Sequence, residues 1–485
     1  MRMAEQGSGP RARIGVAGLG TMGSALALNI AESGFDVALW NRTPAVARAL
    51  AREAGPLEGR LHPCDGLEQF AEALGPDGAA ILMVPAGPPV DQTIAALRPL
   101  LGARGLIVDA GNADYHDSDR RAAEAGAFLG LGVSGGEEGA RHGPSLMAGG
   151  APEHWERIED VMLAIAARHP DGPEGEPCAA LLGPGGAGHF VKMVHNGIEY
   201  ADMQMIAEIY GLMRDGLGWD HGRIGDAFGG WNEGRLRSYL VEITAEVCRA
   251  EDPLTGRPMP EIILDAAGQK GTGRWTVIES QEMGTPVPAV EAAVAARNLS
   301  ARISERALGE RRYGPAPRPV GELPLEDLEA ALIAGKVICY AQGFSMLAAT
   351  EGRGWSLPLP RIARIWRAGC IIRSAMLDDM AAALQEAAEE GAHDRNLILT
   401  PAFSKLLSET HGALRRVVAR AADAGHPCPA LGSGLAWFDT MRTQRGTANL
   451  IQAQRDFFGR HGFDRLDGRE GRHGPWAADD PDPHT

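Results

Sequence analysis

Gly18-Leu19-Gly20-Thr21-Met22-Gly23 follows the apolar run Ile14–Ala17 and leads into a helical pattern over Thr21–Ser33. Strand, glycine-rich turn and helix in that order form the context in which a G-x-G-x-x-G segment carries meaning. Its glycines permit a tight turn and a close backbone approach, so a pyrophosphate can sit at the positive end of the helix. Glycines also close ordinary turns, so the motif alone decides little. Its surroundings decide more. Val37–Trp40, Ala80–Val84 and Leu106–Asp109 are further short apolar runs, separated by helical patterns such as Val90–Leu101. Alternation of this kind over residues 13–185 predicts a parallel sheet covered by helices on both faces.

At the end of the second strand, sites that prefer NAD place an acid to hold the ribose hydroxyls. Here the chain reads Trp40-Asn41-Arg42-Thr43. A cation flanked by an amide and a hydroxyl suits a 2′-phosphate, so NADP is the expected cofactor. A solvated strand end is the alternative reading of the same residues.

A chain of 485 residues with 44% hydrophobic content can bury a large core divided over two or three domains. No apolar run is expected to reach the roughly 18 residues that cross a bilayer. Residues 1–11 are polar and hold no secretory signal, so residues 1–12 read as a disordered extension. Six scattered cysteines without C-x-x-C spacing argue against a disulfide framework or a zinc site and fit a cytoplasmic location. The net charge of −16 disfavours nucleic acid and anionic membranes as partners. A small anionic substrate stays possible wherever cations gather locally.

Gly183-Pro184-Gly185-Gly186-Ala187-Gly188 breaks the composition and marks a domain junction. Beyond it helical periodicity dominates to about residue 440, and the region echoes itself. Asp215-Gly216-Leu217-Gly218-Trp219 recurs as Glu351-Gly352-Arg353-Gly354-Trp355, Trp231 as Trp366, and Arg237-Ser238 as Arg373-Ser374. An internal duplication is expected. Just past the junction, Lys192, His195, Asn196 and Glu199 share one face of a helix, with Tyr200 beside them. A base, an imidazole, an amide and an acid on one stripe suit chemistry more than packing. An ordinary solvated face is the bland alternative, but the second copy argues against a structural default. It keeps Lys336, yet places Cys339, Tyr340 and Gly343 at the matching offsets. The tail from about 441 is too polar to make its own core, so it is expected either to be disordered or to pack on something else.

Four segments resemble the decarboxylating 6-phosphogluconate dehydrogenase family: Val133 to Ala140, Gly186 to Asp202, Lys270-Gly271-Thr272-Gly273-Arg274-Trp275-Thr276, and Ala448 to Asp456. The resemblance spans about residues 13–466. It implies an α/β Rossmann-type domain at 13–185, a large duplicated all-α domain at 186–440, and an extended C-terminal tail at 441–485 that reaches the partner in a homodimer. It implies oxidation of 6-phosphogluconate by NADP and decarboxylation to ribulose 5-phosphate, without a metal. Lys192 then corresponds to the base and Glu199 to the acid. Ser134, Gly135 and Gly136, with His195 and Asn196, correspond to ligands of the carboxylate end. Tyr200, Lys270, Thr272 and Arg297, joined by Arg455 and His461 of the other subunit's tail, correspond to phosphate ligands. Without the family, Arg455 and His461 read as an ordinary charged tail. Gly18 to Gly23, Asn41 to Thr43, Val84, Pro85 and Ala86 correspond to the cofactor site, with Asn112 at the cofactor–substrate junction.

The chain departs from the pattern in places. Where the family commonly carries Val-Lys-Ala-Gly, it reads Val84-Pro85-Ala86-Gly87, which removes a cation and stiffens the loop. Arg445-Gly446-Thr447-Ala448-Asn449 replaces a more usual Arg-Leu-Pro-Ala-Asn, and the last twenty residues match nothing. Rival readings are a β-hydroxyacid dehydrogenase such as 3-hydroxyisobutyrate dehydrogenase, a paralogue acting on another sugar acid, and a catalytically silent NADP-binding regulator.

Overall fold

A computed structural model describes residues 12–170, 175–268, 271–390, 396–470 and 472–477. Of the extension expected over 1–12, all but Ala12 lies outside the described residues. Ala12 itself is buried, and its N–H donates to the Ala73 carbonyl at 3.1 Å.

The first part is a sheet of short strands: β1 (Ile14–Ala17), β2 (Val37–Trp40), β3 (Leu61–Cys64), β4 (Ala79–Leu82), β5 (Leu106–Asp109), β6 (Phe128–Ser134) and β7 (Ser145–Gly150). A two-stranded ribbon, β8 (Arg168–His169) and β9 (Glu176–Pro177), precedes the last strand, β10 (Ala179–Gly183). The order across the sheet is β10-β7-β6-β5-β4-β1-β2-β3. Successive residues of one strand feed two different cores. Ile14, Val16, Ile81 and Val108 join one, while Ala17, Leu82 and Ile107 join the other. Burial on both faces is why these strands read as unbroken apolar runs.

The parallel expectation holds for β1 to β6, but β7 runs antiparallel to β6. Only residues 135–144 connect the two, fewer than the dozen or so that a parallel crossover needs. Strand order reverses between β1 and β4, and the crevice beyond their carboxyl ends is where a nucleotide is received in such sheets.

From Ala187 onward the described residues contain helices and no strand of the sheet. The two longest are Ala187–Gly211 and Leu325–Ala348. One finding corrects the membrane expectation. The helical stretch Leu325–Arg353 is long and apolar enough to cross a bilayer, with a mean hydropathy of 1.4. Interspersed Glu326, Asp327, Glu329 and Lys336 hide this in a search for unbroken runs. With 89% of its most apolar stretch buried inside the protein, it is a core helix.

The two Arg-Ser echoes meet. Ser238 and Ser374 form an antiparallel bridge, Tyr239 N–H donates to Arg373 O (3.1 Å), and Ala375 N–H donates to Arg237 O (2.9 Å). A motif pairing with its own echo is what two copies facing each other across a local two-fold would produce.

Leu435–Thr485 forms a separate compact unit. Its helix Ala448–Gly459 carries Asp456, whose carboxylate is fully buried. Leu450, Ile451, Phe457 and Phe458 of this helix are exposed, and the turn that follows it is organised around a charge.

Candidate active site

A cavity of about 830 Å³ opens at the switch point. The three glycines of the turn do different things there. Gly18 has φ +99°, and a Cβ on it would lie 2.5 Å from Met83 O. A Cβ on Gly23 would lie 1.9 Å from Gly18 O, so the helix approaches the turn only with glycine there. Gly20 has no protein atom within 4 Å of its would-be Cβ, which leaves space for a ligand at the start of the helix Thr21–Glu32. Thr21, Met22, Asn41, Arg42, Thr43, Val84, Pro85, Ala86 and Asn112 also line the cavity. Leu19 does not. It is buried, and its N–H donates to Asn41 Oδ1 at 3.1 Å while Asn41 Nδ2 donates to Thr43 O at 3.2 Å. Asn41 therefore ties the strand end to the glycine turn. Arg42 is exposed and makes no ion pair among the described residues.

Sequence reading missed Gln92 and Thr93, which line the cavity from the helix Pro88–Leu101, and Gly111 after β5. Periodicity predicts that helix but not which turn faces a ligand. It also missed Arg121. This buried guanidinium pairs with Asp109 at 3.0 Å and Asp91 at 2.8 Å, and donates to Gly87 O at 3.2 Å. Asp109 Oδ1 in turn accepts from Gly111 N at 3.1 Å. One arginine thus fixes the loops after both β4 and β5.

Lys192 also lines the cavity, from the first half of the helix Ala187–Gly211. Gly132 of β6 leaves room for its stem, since a Cβ there would lie 2.6 Å from Lys192 Cβ. Lys192 Nζ donates to Ser134 Oγ at 3.1 Å, and Ser134 Oγ meets His195 Nε2 at 3.3 Å. His195 Nδ1 meets Asn196 Oδ1 at 3.2 Å, and Asn196 Nδ2 donates to Thr272 Oγ1 at 2.9 Å. A carbonyl oxygen only accepts, so Nδ1 carries the imidazole proton and Nε2 accepts from the serine hydroxyl. The chain Lys192–Ser134–His195–Asn196–Thr272 is then directional throughout. Glu199 sits one turn on, its Oε2 3.8 Å from His195 Nδ1.

Burial sets the charge states. Desolvation pushes the Lys192 ammonium below its ordinary range, against the opposing pull of Glu199. Desolvation pushes the Glu199 carboxyl up, against Lys192 and Arg297, with Asp202 adding to the rise. His195 is driven well down by burial and by Lys192, so it is neutral. A lysine biased to accept a proton stands near a carboxyl biased to keep one, as acid–base pairs require.

Beyond Glu199, Arg297 stacks on Tyr200 with its guanidinium carbon 3.6 Å from the ring centroid, and donates to Gly268 O at 3.3 Å. Thr272 is buried at the start of the helix Thr272–Glu282. Tyr200, Thr272 and Arg297 are thus brought to one end of the catalytic face. Gly135 and Gly136 follow Ser134 with φ +104° and +66°. Lys270 lies outside the described residues. Arg455 and His461 belong to the separate tail unit, where both are exposed. No metal-ligand set was expected. Among the described residues His116, Glu279 and Glu282 bring ligand atoms within 4.8 Å of one another, but Glu279 is paired with Arg353.

A glycine-rich turn at the switch point of a mostly parallel sheet, opening onto a desolvated lysine, defines a dinucleotide-linked dehydrogenase. Two family models match: the NAD binding domain of 6-phosphogluconate dehydrogenase over residues 13–183, and the 6-phosphogluconate dehydrogenase C-terminal domain over 188–476. The chain belongs to the 6-phosphogluconate dehydrogenase family. It is 46% identical over 464 residues to the decarboxylating 6-phosphogluconate dehydrogenase of Schizosaccharomyces pombe, covering 93% of this chain and 92% of that one. It is 43% identical to the NADP(+)-dependent decarboxylating enzyme of Bacillus subtilis, covering 96% and 99%. The solved 6-phosphogluconate dehydrogenase of Plasmodium falciparum, studied with NADP+ and with 6-phosphogluconate, superposes with a TM-score of 0.90 at 38% identity. It covers 96% of this chain and 100% of its own.

Proposed function

We propose that this protein oxidises 6-phosphogluconate with NADP and decarboxylates the product to ribulose 5-phosphate and carbon dioxide. The observation that carries the reading is the half-buried pair Lys192 and Glu199 on one helix face, each displaced by desolvation toward its neutral form. The turn at Gly18–Gly23 fits a dinucleotide, with Gly20 left open and Arg42 unpaired for a 2′-phosphate. NADP held by that turn would supply the acceptor for the hydride that leaves C3 of the substrate. Neutral Lys192 takes the proton of the 3-hydroxyl as that bond becomes a carbonyl. The carboxylate is then β to a ketone and leaves as carbon dioxide. Protonated Lys192 donates to the oxygen on which enolate charge develops. Glu199 delivers its proton to C1. No step calls for a metal.

Ser134, Gly135, Gly136, His195 and Asn196 hold the carboxylate end, and Asn112 stands between substrate and cofactor. Tyr200, Lys270, Thr272 and Arg297 take the phosphate, completed by Arg455 and His461 of a second subunit in a homodimer. This gathering of cations answers the acidic charge of the whole chain. We place the nucleotide domain at 13–185, the helical domain at 186–440 and the exchanged tail at 441–485. The family-model limits at 183 and 188, and the division of the chain at Leu435, support that layout. Free, mostly buried cysteines support a cytoplasmic location. The assay is direct. Purified protein given 6-phosphogluconate and NADP, with no added metal, should release carbon dioxide and NADPH, and absence of turnover would sink the reading.

A further inference from the structure

Asp456 lies between the two tail residues assigned to the phosphate, and its surroundings are unlike those of the other tail acids. It is 0% exposed in a unit where Arg455, Phe457, Phe458 and His461 are all exposed. Its carboxylate accepts four hydrogen bonds: from Gly462 N at 2.9 Å, His473 Nδ1 at 2.6 Å, Gly474 N at 2.9 Å and Trp476 Nε1 at 2.8 Å. Its backbone carbonyl accepts from Arg460 N at 2.9 Å. Arg460 caps the helix Ala448–Gly459 in the left-handed conformation, at φ +48°. His461 is thus bracketed, because the residues before and after it are both held by Asp456. Phe463 N–H also donates to Arg472 O at 2.8 Å, which brings the final segment back alongside the turn.

We propose that Asp456 is a positioning residue. It uses the segment His473 to Trp476 to lock the turn that sets His461 against Arg455. The inference rests on the reading that Arg455 and His461 bind the substrate phosphate of the partner. In it, residues that touch no substrate set the affinity for the phosphate. A carboxylate with four donors has a fixed orientation, and Gln452, which accepts from Arg455 Nη1 at 3.1 Å and donates to Gly462 O, ties Arg455 to the turn that Asp456 holds. Deleting a donor from the far end leaves Arg455 and His461 chemically intact and only releases their geometry. Misplacement by about 1 Å is enough to cost about tenfold to a hundredfold.

The test is steady-state kinetics on Trp476→Phe, Trp476→Ala, Arg455→Ala and the double variant Arg455→Ala/Trp476→Ala, with assembly followed by sedimentation. Trp476→Phe keeps an aromatic ring beside Phe457 and removes the N–H donor with the five-membered part of the indole. Expected is a KM for 6-phosphogluconate raised about threefold for Trp476→Phe and about tenfold or more for Trp476→Ala, with KM for NADP unchanged. In the double variant Trp476→Ala should add less to Arg455→Ala than it costs alone, because only His461 is left to misplace. Full additivity, an unchanged KM in Trp476→Ala, or loss of assembly in Trp476→Ala alone would each overturn the positioning role. An unchanged KM in Arg455→Ala would instead remove the parent reading of the tail.

Discussion

The helices Ala187–Gly211 and Leu325–Ala348 are the two longest described helices of the echoed region, and they carry Lys192 about one quarter and Lys336 about one half of the way along. The residues on the C-terminal side of each lysine differ. After Lys192 come His195, Asn196 and Glu199, which carry the polar chain of the cleft. After Lys336 come Cys339, Tyr340 and Gly343, and these serve packing. Cys339 Sγ donates to Ile198 O at 3.6 Å, Tyr340 OH donates to Ile372 O at 2.7 Å, and a Cβ on Gly343 would lie 2.5 Å from Ile198 Cδ1. Lys336 itself donates to both oxygens of buried Asp202, at 2.7 and 2.5 Å. A buried lysine is structural when a dedicated carboxylate answers it. Lys192 has a serine hydroxyl and a carboxyl that burial is neutralising, so its proton is available for transfer.

The sharpest way to break the comparison is to exchange the outcomes of the two lysines. Lys192→Met should lower kcat by about 10²–10⁴-fold while the melting temperature stays near that of the parent. Lys336→Met should do the reverse. It leaves Asp202 buried and unpaired, at about 3–5 kcal/mol of stability. The double change Lys336→Met/Asp202→Leu should recover most of that loss, since an apolar pair of similar volume carries no orphan charge. Calorimetry and turnover on the same preparations decide it, and a folded, inactive Lys336→Met would show that both copies do chemistry.

A second test reads the charge states. Catalysis by neutral Lys192 and protonated Glu199 requires a bell-shaped dependence of turnover on pH. The lysine is lowered from 10.5 and the carboxyl raised from 4.5 by the same burial, which narrows the gap between them. Glu199→Gln removes the need for a protonated carboxyl. Residual activity should then rise with pH to a plateau, without the descending limb. A bell that survives in Glu199→Gln would assign that limb to another group.

Sequence made the local features legible. Four strands, the glycine turn, the junction at Gly183–Gly188 and the stripe from Lys192 to Glu199 each arise from residues close in the chain. The Arg-Ser echo was legible too, although not that Ser238 would pair with Ser374. The features that stayed hidden are non-local. The reversed strand β7 depends on the length of a connection. Arg121 gains its meaning only from Asp91 and Asp109, thirty and twelve residues away. Thr272 enters the polar chain through Asn196, seventy-six residues distant. The tail was legible only as a stretch without an apolar core. Hydrophobic counting cannot see a carboxylate with four donors.

The smallest effect concerns a second carboxyl of the catalytic helix, Glu208. Unlike half-buried Glu199 it is buried, and both its oxygens accept backbone N–H groups, Ala430 at 2.8 Å and Leu431 at 2.9 Å, at the start of the helix Pro429–Met441. Burial pushes its carboxyl up to about 7 from 4.5, although those bonds and Gln204 pull the other way. The folded value lies above the unfolded one, so its stabilising contribution is complete below about pH 4.5. It is then lost as pH rises through about 7. Glu208→Gln has no such titration. Between pH 5 and pH 8 the stability of the variant relative to the parent should therefore improve by about 2 kcal/mol. Turnover should keep the parent's pH profile, because Glu208 lies outside the cleft chain. If denaturant unfolding gives a constant difference across that range, burial does not hold Glu208 protonated. The contrast between a chemical and a structural carboxyl on one helix would then have to rest on hydrogen bonding alone.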